Sequence, residues 1–157
     1  MLSKLQNTGY YSLPYNPAAH SYSPFTRKQP LKKVPNWKTK NILIVEDDET
    51  NAYLLRAYLA KTNVTIIEVG NGKQAVDLCA SNLTIDLVLM DIRLPEMNGY
   101  NATQLIKATH KHLPIVVQTA YALSTDVDKA FEAGCDDFLA KPIAQEDLFR
   151  VLSKYLH

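Results

Sequence analysis

The chain is predicted to be an α/β protein, a doubly wound five-stranded parallel sheet covered by five helices. Three observations predict this. Short apolar runs alternate with helical periodicities from Asn41 onward, with no internal repeat. The runs are continuously apolar, as strands buried on both faces must be. Several of them end in charged or hydroxyl side chains, at the edge where such sheets bind their ligands.

Ile42–Val45 is the first strand, and Glu46-Asp47-Asp48-Glu49 follows it directly. Thr50–Lys61 reads as a helix with Leu54, Leu55, Tyr58 and Leu59 as its apolar stripe. Val64–Val69 is the second strand. Gly72–Ser81 is the second helix, expected to bury Ala75, Val76 and Cys79. Leu87–Met90 is the third strand, and Asp91 ends it. Gly99–His110 is helical, with Leu105 and Ile106 expected inward. Pro114 announces the fourth strand, Ile115–Thr119. Thr125–Ala133 is the fourth helix. Thr125 and Asp128 match a Thr-x-x-Asp cap, and Gly134 suits its stop. Phe138–Ala140 is a short fifth strand running into Lys141-Pro142. Gln145–Leu156 closes the chain as a helix with Leu148, Phe149, Leu152 and Leu156 on one face.

At 157 residues one folded domain is expected. No apolar run approaches the ~18 residues of a membrane span, and no secretory signal is expected, since no compact apolar stretch follows the first basic residue. Cys79 and Cys135 form no motif and read as buried, reduced thiols of a cytoplasmic protein. The net charge of +1 hides an asymmetry. Residues 1–40 hold seven of the 17 basic residues, five of the eight prolines and no acid. They have neither strand nor helix period, and are expected to be a disordered tail. Residues 41–157 form the acidic domain. Trp37, just before the first strand, is a candidate to pack on that domain.

The strand ends carry the chemistry. Glu46, Asp47 and Asp91 would converge within a few ångströms. Two unit charges ~4 Å apart repel by about 4 kcal/mol at an effective dielectric of ~20. A hard divalent cation relieves that cost, and magnesium prefers oxygen ligands. Asp48 and Glu49 suit capping of the first helix instead. Lys141, followed by a proline that stops the strand, can pair with Asp91 or with a phosphoryl oxygen on it. Thr119 can offer its hydroxyl to the same oxygen. A carboxylate so placed can act as a nucleophile and become an aspartyl phosphate.

These residues, in this order, resemble the response regulator receiver domain, the CheY-like fold. The matching pieces are Val45-Glu46-Asp47-Asp48, Leu89-Met90-Asp91-Ile92-Arg93-Leu94-Pro95-Glu96-Met97-Asn98-Gly99, Thr119-Ala120 and Lys141-Pro142. The resemblance covers 41–157 and leaves the tail out. It implies a flavodoxin-like sheet of strand order 2-1-3-4-5, with Asp91 as phosphoacceptor. It implies that Asp47 ligates magnesium (Mg2+, with manganese, Mn2+, able to substitute), Glu46 acts through water, and Arg93 contributes its backbone carbonyl. Thr119 and Lys141 would bind the phosphoryl group. Phe138 holds the family's aromatic switch position and lacks a hydroxyl, so any switch works through packing. A cis Lys141-Pro142 peptide and a third helix opening at Gly99 are implied as well. Asp48-Glu49-Thr50-Asn51, Ala120-Tyr121-Ala122 and Gly134-Cys135-Asp136-Asp137-Phe138 look most like receivers of hybrid histidine kinases. Arg93 and Tyr121, both large, flank the path of the hydrolytic water in the family and are expected to slow self-dephosphorylation.

The leading expectation is a single-domain response regulator in a phosphorelay, acting on no substrate but its own Asp91. Its partners would be a histidine kinase or histidine phosphotransfer protein. A phospho-dependent partner would dock on the face of the fourth helix, fifth strand and fifth helix. With the sequence ending at His157 directly after the last helix, transcription through a fused DNA-binding domain is not expected. The main rival is the terminal receiver of a hybrid kinase, detached or encoded apart, and a more distant one is a pseudo-receiver binding module. A phosphatase of the haloacid dehalogenase type needs an acid two residues after its nucleophile, where Arg93 stands. A flavin mononucleotide carrier would be repelled by Glu46-Asp47-Asp48. The tail's charges and aromatics could hold nucleic acid; a solvated linker is the preferred reading.

Overall fold

The computed structural model describes residues 33–81, 83–121 and 125–157. Most of the basic tail, with Tyr10, Tyr11, Tyr15 and Tyr22, lies outside the described residues, as does Ala122.

Five strands and five helices alternate. They are β1 (Asn41–Val45), α1 (Glu49–Leu59), β2 (Thr65–Val69), α2 (Gly72–Cys79) and β3 (Leu87–Asp91), then α3 (Gly99–Thr109), β4 (Ile115–Thr119), α4 (Thr125–Glu132), β5 (Asp137–Ala140) and α5 (Gln145–Leu152). The sheet is parallel throughout, in the order β2-β1-β3-β4-β5. The expected architecture and strand order are therefore observed.

The three central strands are buried almost end to end, which is why their sequences carry no alternation. β2 and β5 are edge strands and only half-buried, so the expectation of two-sided burial does not extend to them.

Successive side chains of each strand feed two cores. Ile42, Ile44, Leu87, Leu89, Val116 and Leu139 join Leu55, Leu59, Leu148 and Leu152 on the α1–α5 side. Leu43, Val45, Val88, Met90, Ile115 and Val117 join Ala75, Cys79, Ala102 and Ile106 on the other. Trp37 belongs to the first core. It stacks edge-on against Phe149 at 6.0 Å, and its backbone N–H donates to the Thr62 carbonyl at 2.7 Å. A residue from before β1 thus completes the core under α5.

Local signals explain the helix ends. Asp48 caps α1, its carboxylate accepting the Asn51 N–H at 2.9 Å. Glu49 sits in the first turn and pairs with Arg56. Asn71 and Asn98 cap α2 and α3 in the same way. Gly134, at φ +100°, ends α4, with the Cys135 N–H reaching back to the Ala130 carbonyl.

Four details differ from expectation. Leu105 is 48% exposed; Ala102, Thr103 and Ile106 face inward, because the buried stripe of α3 runs one residue away. Val76 is half-buried rather than buried, lying at the margin of the α2 face. Thr125 is inside α4, so the cap position falls on residue 124, outside the described residues. The last regular turn of α5 ends at Leu152, yet Leu156 is buried as expected, carried inward by the turn that follows. No helix among the described residues is long and apolar enough to cross a membrane.

Candidate functional site

The same period of two that sorts the core also places the site. Glu46 continues the parity of Ile42 and Ile44, Asp91 that of Leu87 and Leu89, and Lys141 that of Leu139. All three strands are parallel, so all three side chains emerge at one edge, on the α1–α5 side.

There they meet. The Lys141 ammonium lies 2.8 Å from a Glu46 oxygen and 3.0 Å from an Asp91 oxygen. The Glu46 side chain is 1% exposed, Asp91 8% and Lys141 18%. Asp47 is exposed, one residue beyond the strand. One oxygen each of Glu46, Asp47 and Asp91 lie within 4.8 Å of one another. The sequence expectation paired Lys141 with Asp91; the structure adds Glu46 as a second partner.

Electrostatics follow from crowding. Burial pushes the Glu46 carboxyl above its usual value, with Asp91 adding to the rise, although the hydrogen bond from Lys141 opposes it. Burial disfavours the Lys141 ammonium, but hydrogen bonds to Glu46 and Asp91 outweigh it, so Lys141 is held above its ordinary value. The two shifts pull opposite ways on one ion pair, since two carboxylates share one ammonium. The three acids keep an excess of negative charge after Lys141 is counted. Three hard oxygen donors with that excess fit a divalent cation such as magnesium.

The loops hold this arrangement. The Arg93 N–H faces Asp91 Oδ1 at 3.4 Å. Gly99 opens α3 where its N–H donates to the Ile92 carbonyl at 2.9 Å. A Cβ on Gly99 would lie 2.0 Å from the Asp91 carbonyl oxygen, so only glycine permits this approach. The Lys141-Pro142 peptide is cis, as expected, and the Lys141 N–H donates to the Thr119 carbonyl at 2.7 Å.

Thr119 is buried at the end of β4, but its hydroxyl donates to the Tyr121 carbonyl and accepts the Tyr121 N–H, each at 3.1 Å. It is thus engaged within its own loop rather than with Asp91. Arg93 and Tyr121 come together as a pair, the guanidinium 5.1 Å from the ring centroid. Phe138 is half-buried and meets Phe131 of α4 edge-on at 6.2 Å.

Two residues near the site were not anticipated. Asn51, in the first turn of α1, donates its side-chain amide to Glu46 at 3.4 Å. Gln118 is fully buried beside Asp91 in the sheet register. The second had a visible signal, a lone amide interrupting the apolar run Ile115-Val116-Val117.

Comparison with known proteins finds relatives of this fold. The profile of the family described as "Response regulator receiver domain" matches residues 42–153. Hybrid signal transduction histidine kinase G of Dictyostelium discoideum is 41% identical over 129 residues, 79% of this chain but 4% of the kinase. The polar-differentiation response regulator DivK of Brucella ovis is 33% identical, covering 75% of this chain and 97% of its own. Among solved structures, the receiver domain of a Pseudomonas aeruginosa PAO1 sensor histidine kinase, with a magnesium ion coordinated in its active site cleft, superposes with a TM-score of 0.70. It is 36% identical, over 74% of this chain and 97% of that one. A chain of the Saccharomyces cerevisiae complex of the histidine phosphotransfer protein Ypd1 with the receiver domain of Ssk1 gives a TM-score of 0.71. It is 28% identical, covering 80% of this chain and 92% of that chain.

Proposed function

The chain belongs to the response regulator receiver family, and from that membership we propose that Asp91 accepts a phosphoryl group in a two-component phosphorelay. The observation that carries the proposal is the cluster itself: buried Asp91 and Glu46 share the ammonium of Lys141, and exposed Asp47 completes three carboxylates within 4.8 Å.

The chemistry follows from what each residue can do. An Asp91 oxygen attacks the phosphorus of a phosphohistidine or an acyl phosphate, and the bond from phosphorus to the leaving group breaks. A departing imidazole takes up a proton as it leaves. Glu46, Asp47, Asp91 and the Arg93 carbonyl are the residues that would hold magnesium or manganese. The bound cation supplies charge neutralisation for the acids and the incoming phosphoryl oxygens. Lys141 is already beside Asp91, and needs only to exchange Glu46 for a phosphoryl oxygen. Thr119 reaches the same group by giving up its bond to the Tyr121 carbonyl, which frees the loop after β4.

That exchange is the switch. When Thr119 leaves Tyr121, the space near Phe138 changes, and the ring, which at rest meets Phe131 edge-on, shifts towards a buried rotamer. The face of α4, β5 and α5 then presents a different surface to a protein partner. The reverse transfer passes the phosphoryl group to a histidine phosphotransfer protein. Catalysis is confined to the chain's own aspartate. Two buried free thiols, Cys79 and Cys135, suit a reducing, cytoplasmic setting. The stretch before Trp37 acts as a linker, since Trp37 itself is part of the folded core.

A second context has its own support. The hybrid kinase relative matches over most of this chain, and the chain spans only 4% of that protein. The same receiver chemistry would then serve as the terminal receiver of a kinase.

Intact-mass measurement after incubation with acetyl phosphate tests the proposal. One added phosphoryl group is expected, requiring both magnesium and Asp91, and lost in Asp91→Ala. A folded protein that takes up nothing would instead be a pseudo-receiver, a binding module without a phosphorylation switch.

A further inference from the structure

Gln118 is the odd residue of the core. It is 0% exposed, and neither its side-chain oxygen nor its nitrogen has a hydrogen-bond partner in the protein. A buried, unsatisfied amide is costly, and native proteins retain few of them. Its neighbours in register are Asp91 on one side and Leu139 on the other, so it stands on the same sheet face as the acidic site.

That face opens into a cavity of about 50 Å³ between α1 and the cis-proline turn. Leu54, Leu55 and Ile143 supply apolar wall; Asn51, Gln118 and Lys141 supply polar groups. The volume exceeds the ~15 Å³ that a single buried water requires, and such a water needs two to four polar partners. Gln118 offers one acceptor and two donors. The other two polar residues of the wall, Asn51 and Lys141, are both bonded to Glu46.

We infer that Gln118 and this cavity form an internal hydration site, and that the water it binds makes Gln118 a positioning residue for Lys141. Water held by the carboxamide bridges to Lys141 and Asn51 from behind the ion pair. It limits where the ammonium can sit when it trades Glu46 for a phosphoryl oxygen. Gln118 touches no reacting atom; it acts through Lys141. The consequence for reaction rate rests on the phosphoacceptor reading above, whereas the hydration site does not.

The test compares the full chain with Gln118→Leu, which keeps approximate volume and removes both polar atoms, and with the unbranched Gln118→Met in case leucine does not fold. A crystal structure resolving water is expected to show one bonded to Gln118 and to Lys141 or Asn51, and to show none there in the variant. The side-chain nitrogen resonance of Lys141 should shift in the variant while the melting temperature does not fall. Phosphorylation by acetyl phosphate at saturating magnesium should slow about tenfold, the low end of effects from groups that orient a site from behind. A dry cavity in the wild-type chain overturns the inference. So does a variant whose Lys141 resonance and phosphorylation rate are both unchanged. If even the wild-type chain takes no phosphate, the phosphoacceptor reading fails, and the water and the Lys141 resonance still decide the hydration site.

Discussion

Replacing Lys141 with methionine keeps the side chain's length and removes its charge. In the wild-type chain the ammonium lies 2.8 Å from Glu46 and 3.0 Å from Asp91. At an effective dielectric of ~20 each contact is worth about 5.5–6 kcal/mol of gross attraction. Desolvation of the three groups offsets most of this. What the substitution leaves is decisive: two buried carboxylates within 4.8 Å, repelling by at least about 3 kcal/mol on the same scale. Lys141→Met is therefore expected to lose about 3 kcal/mol of stability at neutral pH and above, within the range for stripping one partner from a buried pair. The sign of the pH dependence comes from Glu46. Burial already holds its carboxyl above its unfolded value, so its contribution to stability is fullest below that value. The contribution is lost as pH rises through the folded pKa. Without Lys141 the rise is larger, so the variant's deficit should widen from about pH 5 to about pH 8. Urea unfolding at both values, in chelator, measures it. Added magnesium should restore part of the loss at the higher pH. A deficit that is equal at both pH values, or below about 1 kcal/mol throughout, would refute the claim that one ammonium holds two buried acids together.

Other outcomes are accessible to the same methods. The Arg93–Tyr121 contact is exposed, and such contacts are worth about 0.5–1 kcal/mol, so Arg93→Ala or Tyr121→Ala should shorten the phosphoryl lifetime about two- to fivefold. The double variant should be no faster than the worse single one, because the pair acts as a unit; an unchanged lifetime by time-resolved mass measurement would remove the pair from dephosphorylation. Gly99→Ala should cost about 3 kcal/mol and abolish phosphorylation, since its Cβ would press on the Asp91 carbonyl; full phosphorylation would show that the loop yields freely. Trp37→Ala should lose about 3 kcal/mol by denaturant unfolding, as an aromatic is removed from beneath α5; a loss under about 1 kcal/mol would place Trp37 outside the cooperative core.

The sequence by itself determined the element order, the parallel sheet and the acidic edge. The reason is local. Ile42–Val45, Leu87–Met90 and Ile115–Val117 are apolar without alternation, and only a strand covered on both faces tolerates that. The caps at Asp48 and the stop at Gly134 act within a few residues, so they were legible too, whereas the Thr125 pattern lay one residue inside its helix. Burial of a helix face is a weaker signal: Leu105 and Ile106 are adjacent and equally apolar, and only packing against α2 and the sheet chose Ile106. What the tertiary structure alone decided is pairing across long separations. Lys141 meets Glu46 across 95 residues, and Trp37 meets Phe149 across the whole fold. The Gln118 amide is enclosed with no protein partner, beside a cavity bounded by three separate segments. Periodicity says which way a side chain points. Which group stands opposite, and whether it satisfies the charge or hydrogen bond, depends on how the elements pack in three dimensions.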